Sequence, residues 1–312
     1  MYGLAADAMN AEAVNKIFKV KKRPLENPLI VHVSDIEMMS GFVKEVPDIA
    51  HKMIKKFWPG PLTVILEKKE NVPLVTTGNL ETIAIRMPSH SIALKIIKSV
   101  NVGLAAPSAN ISGKPSSTSV AHCIDDFEGE VEYIVDGGIC NYGLESTVVS
   151  LIEENPIILR PGVITKEQLE EVINKEVKVS ENVMQKMHNE EIAISPGMKY
   201  KHYSPDADII IVKSSLDNFV KYVNSIDDYH AGALVFEGEE KGIKRRCFYY
   251  GKKDDPLSQG QNIFNCLRDL DKEKIKKAYV RCPNEEGIGL AVYNRLLRAA
   301  NFNIVILDEG CF

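Results

Sequence analysis

A chain of 312 residues and 34.7 kDa is long enough for about two domains, each with its own core. With 45% hydrophobic and 26% charged residues it is neither largely disordered nor collagen-like. No apolar run approaches the roughly 18 residues of a membrane helix, and a net charge of −5 excludes a protein that coats nucleic acid over its whole surface. Any nucleic-acid contact is therefore local. The six cysteines (123, 140, 247, 266, 282 and 311) are scattered, with no C-x-x-C pair and no histidine at zinc-ligand spacing. Reduced thiols in apolar space fit a soluble cytoplasmic protein with no metal site of its own.

The chain opens at Met1-Tyr2-Gly3-Leu4 with no strand in front. Val14, Ile17 and Phe18 recur at helical spacing after Asn10, a suitable N-cap. Pro28–Val33 reads as a strand. Ser34-Asp35-Ile36-Glu37 has the capping-box pattern, with Ser34 and Glu37 satisfying free amides. A helical stripe from Ile49 to Phe57 stops at Trp58-Pro59-Gly60-Pro61. Strands are predicted at Leu62–Leu66 and Ile83–Met87, a helix around Ile92–Lys98, and further strands at Val102–Ala106, Glu132–Val135, Thr147–Leu151 and Pro156–Leu159. Thr165 and Gln168 form a second capping box, opening a helix that runs toward Asn174. Some strands follow each other directly, so the sheet is expected to be mixed.

Periodicity lapses after about Lys175. Two prolines and a glycine in Ser195–Pro205 keep that stretch extended. The predicted organisation is a catalytic domain over residues 1–180, a linker over 181–207, and a smaller Rossmann-like α/β domain with a largely parallel sheet over 208–312.

Between Val14 and Arg23 lie five cations and no acid. Arg23 precedes Pro24 and is biased to extended geometry, in which Lys21 and Arg23 share a face. Neighbouring cations suit an anion between them, most often phosphate; the plainer reading is a solvated helix end answering its dipole. Ala105–Gly113 ends an apolar strand in small hydroxyl and amide groups, which let a ligand approach the backbone. Ser116–Ser119 adds hydroxyls, or merely caps a helix at Val120. Arg86 and Arg160 close apolar strands, where a planar guanidinium suits carboxylate or phosphate. His32 interrupts another strand, where a core histidine is the plainer reading. No phosphate loop and no nucleophile triad is present.

Taken in order, Tyr2-Gly3-Leu4, Lys21-x-Arg23-Pro24, Asn27-Pro28-Leu29-x-x-His32, Trp58-Pro59-Gly60-Pro61-Leu62-Thr63, Arg86-x-Pro88, Ala106-Pro107-Ser108-Ala109-Asn110, Glu145-Ser146-Thr147 and Arg160-Pro161-Gly162 resemble the YrdC-type threonylcarbamoyl-AMP synthases. The linker Pro196–Pro205 and the second domain are similar to the longer, two-domain form. The resemblance implies a YrdC-like mixed twisted sheet and a nucleotidyltransferase that joins L-threonine, bicarbonate or CO2 and ATP into threonylcarbamoyl-AMP and pyrophosphate. The product is then handed to a tRNA threonylcarbamoyltransferase for tRNA modification, with at most a weak tRNA contact here. It also implies that Lys21 and Arg23 act in catalysis, and that Arg23, Asn27, Thr82, Ser108, Ser116, Arg160 and one of Tyr203 or Tyr200 bind ATP with its Mg2+. His32, Arg86, Ala106 and Ser146 would hold threonine.

The family carries a strand and a Thr-rich turn just before Tyr-Gly-Leu, a segment that does not precede Tyr2 here. The expectation is an unpaired sheet edge and weak activity for the chain as written. Two other readings are weighed: an RNA-binding module without catalysis, disfavoured by the acidic charge, and a carbamoyl-adenylate-forming relative, disfavoured by Glu145-Ser146-Thr147 and the linker motif.

Overall fold

The computed structural model describes residues 1–186, 202–228 and 230–307. The first half contributes β1 (Ala6–Asp7), α1 (Ala11–Lys21), β2 (Ile30–His32), α2 (Ile36–Ser40), α3 (Asp48–Phe57), β3 (Leu62–Glu67), α4 (Leu74–Thr77), β4 (Thr82–Arg86), α5 (Ser91–Val100) and β5 (Leu104–Ala105). Then come α6 (Val120–Phe127), β6 (Thr147–Ser150), β7 (Ile157–Arg160), α7 (Lys166–Ile173) and β8 (Lys178–Val179), with a 3-10 turn at Glu181–Val183. Their strands form one eight-stranded sheet in the order β1-β5-β2-β4-β3-β6-β7-β8. The sheet is mixed: β2 runs parallel to β4 and β3 to β6, whereas β3–β4 and β6–β7 are antiparallel.

Alternation along these strands decides which face is core and which is cleft. Val31, Leu62, Val64, Leu66, Ile83 and Ile85 point to one face. There they join Val14, Ile17 and Phe18 of α1, Met53 and Ile54 of α3, and Leu169 and Ile173 of α7 in the main core. Ile30, Ile65, Ala84 and Val148, on the opposite face, form a thinner layer. His32, Thr63 and Arg86 continue that second face. They lie in one register row, since His32 pairs with Arg86 and Arg86 with Thr63. Three polar residues from three strands thus meet because each occupies the same phase of the period-two pattern.

The second half contributes β9 (Asp208–Lys213), α8 (Leu216–Ser225), β10 (Gly232–Val235), β11 (Arg246–Tyr249), α9 (Pro256–Lys272), β12 (Lys277–Arg281), α10 (Gly287–Ala299) and β13 (Ile304–Ile306). Its five-stranded sheet, β11-β10-β12-β9-β13, is parallel throughout. Helices cover both faces, as a parallel sheet requires. Phe219 and Val223 of α8 pack on one side, while α9 and α10 pack on the other with Leu144 and Tyr203 from the rest of the chain. Most of α10 is therefore buried all round, between its own sheet and the first domain.

Three local expectations change. The N-cap of α2 is Asp35, which accepts from Met38 N at 2.7 Å, while Ser34 donates to Asp35 Oδ2. The helix begins at Ile36, one residue later than the Ser34 pattern implies, which puts Asp35 in the cap position with its carboxylate on the third amide. Residues 132–135 form no strand: Tyr133 is 84% exposed and Val135 is exposed too, so their alternation had no sheet edge to join. Lys21 is the last residue of α1 and Lys22 adopts φ +53, so the Lys21–Arg23 segment is a helix end and not an extended run. The Asn10 cap and the Thr165/Gln168 capping box form as expected. No described helix is long and apolar enough to cross a membrane.

Candidate active site

On the second face of the large sheet opens a cleft of about 1680 Å³, lined by Lys21, Arg23, His32, Arg86, Ser108 and Arg160 among others. The helix end delivers Lys21, which is 1% exposed, to the turn after β5, where its ammonium donates to the carbonyls of Ser108 and Asn110. Ser108 Oγ donates to Asn110 Oδ1 and closes that turn. Tyr2-Gly3-Leu4 runs beside it, with Leu4 N donating to Pro107 O and Ala109 N to Tyr2 O. A side chain at Gly3 would press within 3.3 Å of Pro107 O, so the close approach favours glycine.

Arg23 is held by Asn27 O at 3.1 Å, Asn27 Oδ1 at 2.7 Å and Pro28 O at 2.9 Å. Arg86 Nε donates to Gly60 O at 2.9 Å, which gives the Trp58–Leu62 turn its purpose. In that turn the Trp58–Pro59 peptide is cis, Trp58 Nε1 donates to Leu62 O, and a Cβ at Gly60 would fall 2.1 Å from Phe57 O. Arg160 Nε donates to Ser146 O at 3.1 Å and Nη2 to Ser146 Oγ at 3.2 Å, and Ser146 Oγ lies 2.7 Å from Thr63 Oγ1.

These four cations share one property. Among the described residues none of Lys21, Arg23, Arg86 and Arg160 has a carboxylate at ion-pair distance. Burial and then Arg23 drive the Lys21 pKa well down. Burial brings Arg23 to about 10, and Arg160 adds to the fall. Burial and Arg160 do the same to Arg86, also to about 10. The His32 imidazole falls to about 3, through burial first and Arg86 second, and is neutral. Uncompensated like charges facing one cavity make a site that gains most from a polyanion.

Several residues sit elsewhere than their implied roles. Asn27 is buried behind Arg23 and orients it. Ser116 is fully buried and donates to Glu145 Oε1 at 3.1 Å. Neither lines the cleft. Thr82 begins β4, opposite Glu67, whereas Arg86 ends it, so four residues of strand (about 13 Å) separate Thr82 from the cleft end. Tyr203 does line the cleft, at φ +61, with its ring 5.2 Å from Phe264 of α9; burial and then Glu145 push its hydroxyl to about 12. Tyr200 lies outside the described residues, as does Cys311; the other five cysteines are free thiols. Ala106 and Ser146 also face the cleft.

Sequence reasoning missed Thr63 as the residue that fixes Ser146, although it is the polar member of Leu62-Thr63-Val64-Ile65-Leu66. It also missed the arginines of the second domain. Arg295 Nε binds Glu145 Oε2 at 2.9 Å, and Arg268 Nη2 binds Asp126 Oδ2 at 2.6 Å.

Residues 1–162 match the family model described as telomere recombination, which carries the names Sua5, YciO and YrdC; residues 164–301 match that of the threonylcarbamoyl-AMP synthase C-terminal domain. The threonylcarbamoyl-AMP synthase of Pyrococcus abyssi is 41% identical, covering 98% of this chain and 89% of the relative. That of Bacillus subtilis is 40% identical over 98% and 88%. The chain belongs to the threonylcarbamoyl-AMP synthase family. A solved structure of Pyrococcus abyssi Sua5 complexed with L-threonine superposes with a TM-score of 0.90 at 39% identity, covering 98% of this chain and 89% of that one. Membership of the threonylcarbamoyl-AMP synthases makes the chain an enzyme of nucleotidyltransferase type and overrides the reading as a non-catalytic RNA-binding module.

Proposed function

We propose that the cleft holds ATP and L-threonine side by side and joins them through bicarbonate or CO2, with the triphosphate on Lys21, Arg23 and Arg160 and the threonine carboxylate on Arg86. The observation that carries this reading is the convergence on one cavity of four cations that have no carboxylate partner among the described residues. Arg86 sits in the register row with neutral His32, beside Ser146 and its support Thr63, a suitable floor for a small amino acid. Lys21, Arg23 and the Ser108–Asn110 turn form the opposite, phosphate-binding side.

In the reaction the threonine amine takes up bicarbonate, losing water, to give a carbamate. A carbamate oxygen then bonds the α-phosphorus while the bond to the β-phosphate oxygen breaks and pyrophosphate leaves. Both partners are anions, so the barrier is largely electrostatic. Prepositioned cations lower it without a covalent protein nucleophile. A neutral His32 adds no charge beside the amine.

Mg2+ would arrive on the phosphates. Among the described residues no group of three His, Cys, Asp or Glu could hold a metal, and Glu145 and Asp126 are already taken by arginines. No catalytic step of this chain's residues is assigned to it. Hand-off of the product to a tRNA threonylcarbamoyltransferase, and residence in the cytoplasm, belong to this proposal. Pyrophosphate release from ATP should require both L-threonine and bicarbonate; release that ignores either one contradicts the reading.

A further inference from the structure

Glu145 is a buried carboxylate on the cleft wall, and it immediately precedes Ser146, the residue that holds Arg160 by its carbonyl and hydroxyl. A free carboxylate there would find Arg160 as its natural partner, since a planar guanidinium and a carboxylate pair readily in a low-dielectric site. It does not do so. Glu145 Oε2 accepts from Arg295 Nε at 2.9 Å and Oε1 accepts from Ser116 Oγ at 3.1 Å. Arg295 stands on α10 of the second domain, 150 residues away, and is 0% exposed. Its Nη1 also donates to Pro161 O, the residue after Arg160.

The charges at this node decide its behaviour. Arg160 and Arg295 with Glu145 leave a net positive charge facing the nucleotide; without Arg295 the node is neutral and Arg160 is drawn to Glu145. Tyr203 belongs to the same node, since Glu145, Arg295 and Arg160 all act on its hydroxyl. Asp126, also on the cleft wall and with its side chain only 6% exposed, is engaged in the same manner by Arg268 of α9, which also donates to Pro115 O and Ser117 Oγ. Glu130 and Glu132 also line the cleft but are exposed, where water screens them.

We propose that Arg295 is a positioning residue for nucleotide binding: by neutralising Glu145 from the second domain it keeps Arg160 available to the phosphates. This rests on the nucleotide reading of the cleft given above and assigns the second domain an electrostatic part in it. The contact is a competition between two arginines for one carboxylate, so its signature is rescue by removing the carboxylate.

The test is equilibrium binding of a non-hydrolysable ATP analogue, and separately of L-threonine, to the full chain and to Arg295→Met, Glu145→Gln and the double variant, each checked for folding by thermal melting. Arg295→Met should weaken analogue binding roughly tenfold and leave L-threonine binding within about threefold. Glu145→Gln in the same chain should restore the analogue to within about threefold of wild type, because no carboxylate remains to capture Arg160. A purely structural role for Arg295 predicts no such rescue. Unchanged binding by Arg295→Met, or a double variant as weak as the single one, overturns the proposal. If Arg295→Met does not fold, the double variant decides alone, because it removes both buried charges together: near-wild-type affinity supports the proposal and a tenfold loss overturns it. Failure of the wild-type chain to bind the analogue is a different result, and removes the nucleotide reading as well.

Discussion

Two sets of buried or half-buried cations can be compared in this molecule, and they differ most in what faces them. Lys21, Arg23, Arg86 and Arg160 are held by backbone carbonyls and a few side-chain oxygens, and line a cavity. Arg268, Arg281 and Arg295 each meet a buried carboxylate, from Asp126, Glu239 and Glu145. A carbonyl fixes a guanidinium without cancelling its charge, whereas a carboxylate cancels it. The first set is thereby left with uncancelled charge facing the cavity, and the second set ties carboxylates into the structure, across the domain junction for Arg268 and Arg295. Residue type alone does not separate the cleft arginines from the structural ones here; the partner does.

The largest effect that could break this division belongs to the structural set. Arg268→Ala leaves Asp126 buried and unpaired, and should cost about 3–5 kcal/mol of stability, read by denaturant unfolding. A loss below 1 kcal/mol would mean the pair contributes nothing. In the cleft set the effect should fall on kinetics. Arg86→Ala is expected to raise the threonine KM about a hundredfold with the ATP KM within threefold, whereas a rise confined to ATP would exchange the two sides of the cleft.

Acid separates the sets by a different route. His202 lies in the cleft wall, where burial and then Arg23 bring its pKa to about 3, and His32 is lowered in the same way by burial and Arg86. The unfolded chain takes up these protons first, near pH 6.5, so stability present above that pH is lost as the pH falls toward 3. For His202 alone the loss is about 2 kcal/mol at pH 5. A non-hydrolysable ATP analogue should move the acid-unfolding midpoint to lower pH, since a bound anion offsets the added charge; an unmoved midpoint would separate these histidines from the nucleotide. The smallest effect is expected at Thr82. Thr82→Val should change the ATP KM less than twofold, because β4 carries it away from the cleft; a tenfold rise would restore it to the site.

What was legible in the sequence was local. Lys21 and Arg23, the Pro107–Asn110 turn, the Asn10 cap and the alternation of α/β elements are each written within a dozen residues, and all formed. Lys21 reached the turn by ending a helix, a different backbone path from the extended one expected. Thr63, Glu145 and Arg295 act through partners 83 to 150 residues distant, and nothing in their own neighbourhoods announces those partners. Arg295 reads as one of two arginines on a mostly apolar helix, which is equally the mark of a snorkelling surface arginine. Glu132–Val135 alternates like a strand but meets no edge, and alternation cannot reveal whether an edge is present.

The most direct test of the central claim is titration of the folded Arg23→Ala chain with a non-hydrolysable ATP analogue, beside the wild type. The account predicts binding at least about a hundredfold weaker with little change in melting temperature, because among the described residues Arg23 has no carboxylate to leave unpaired. Wild-type affinity in that variant would contradict it.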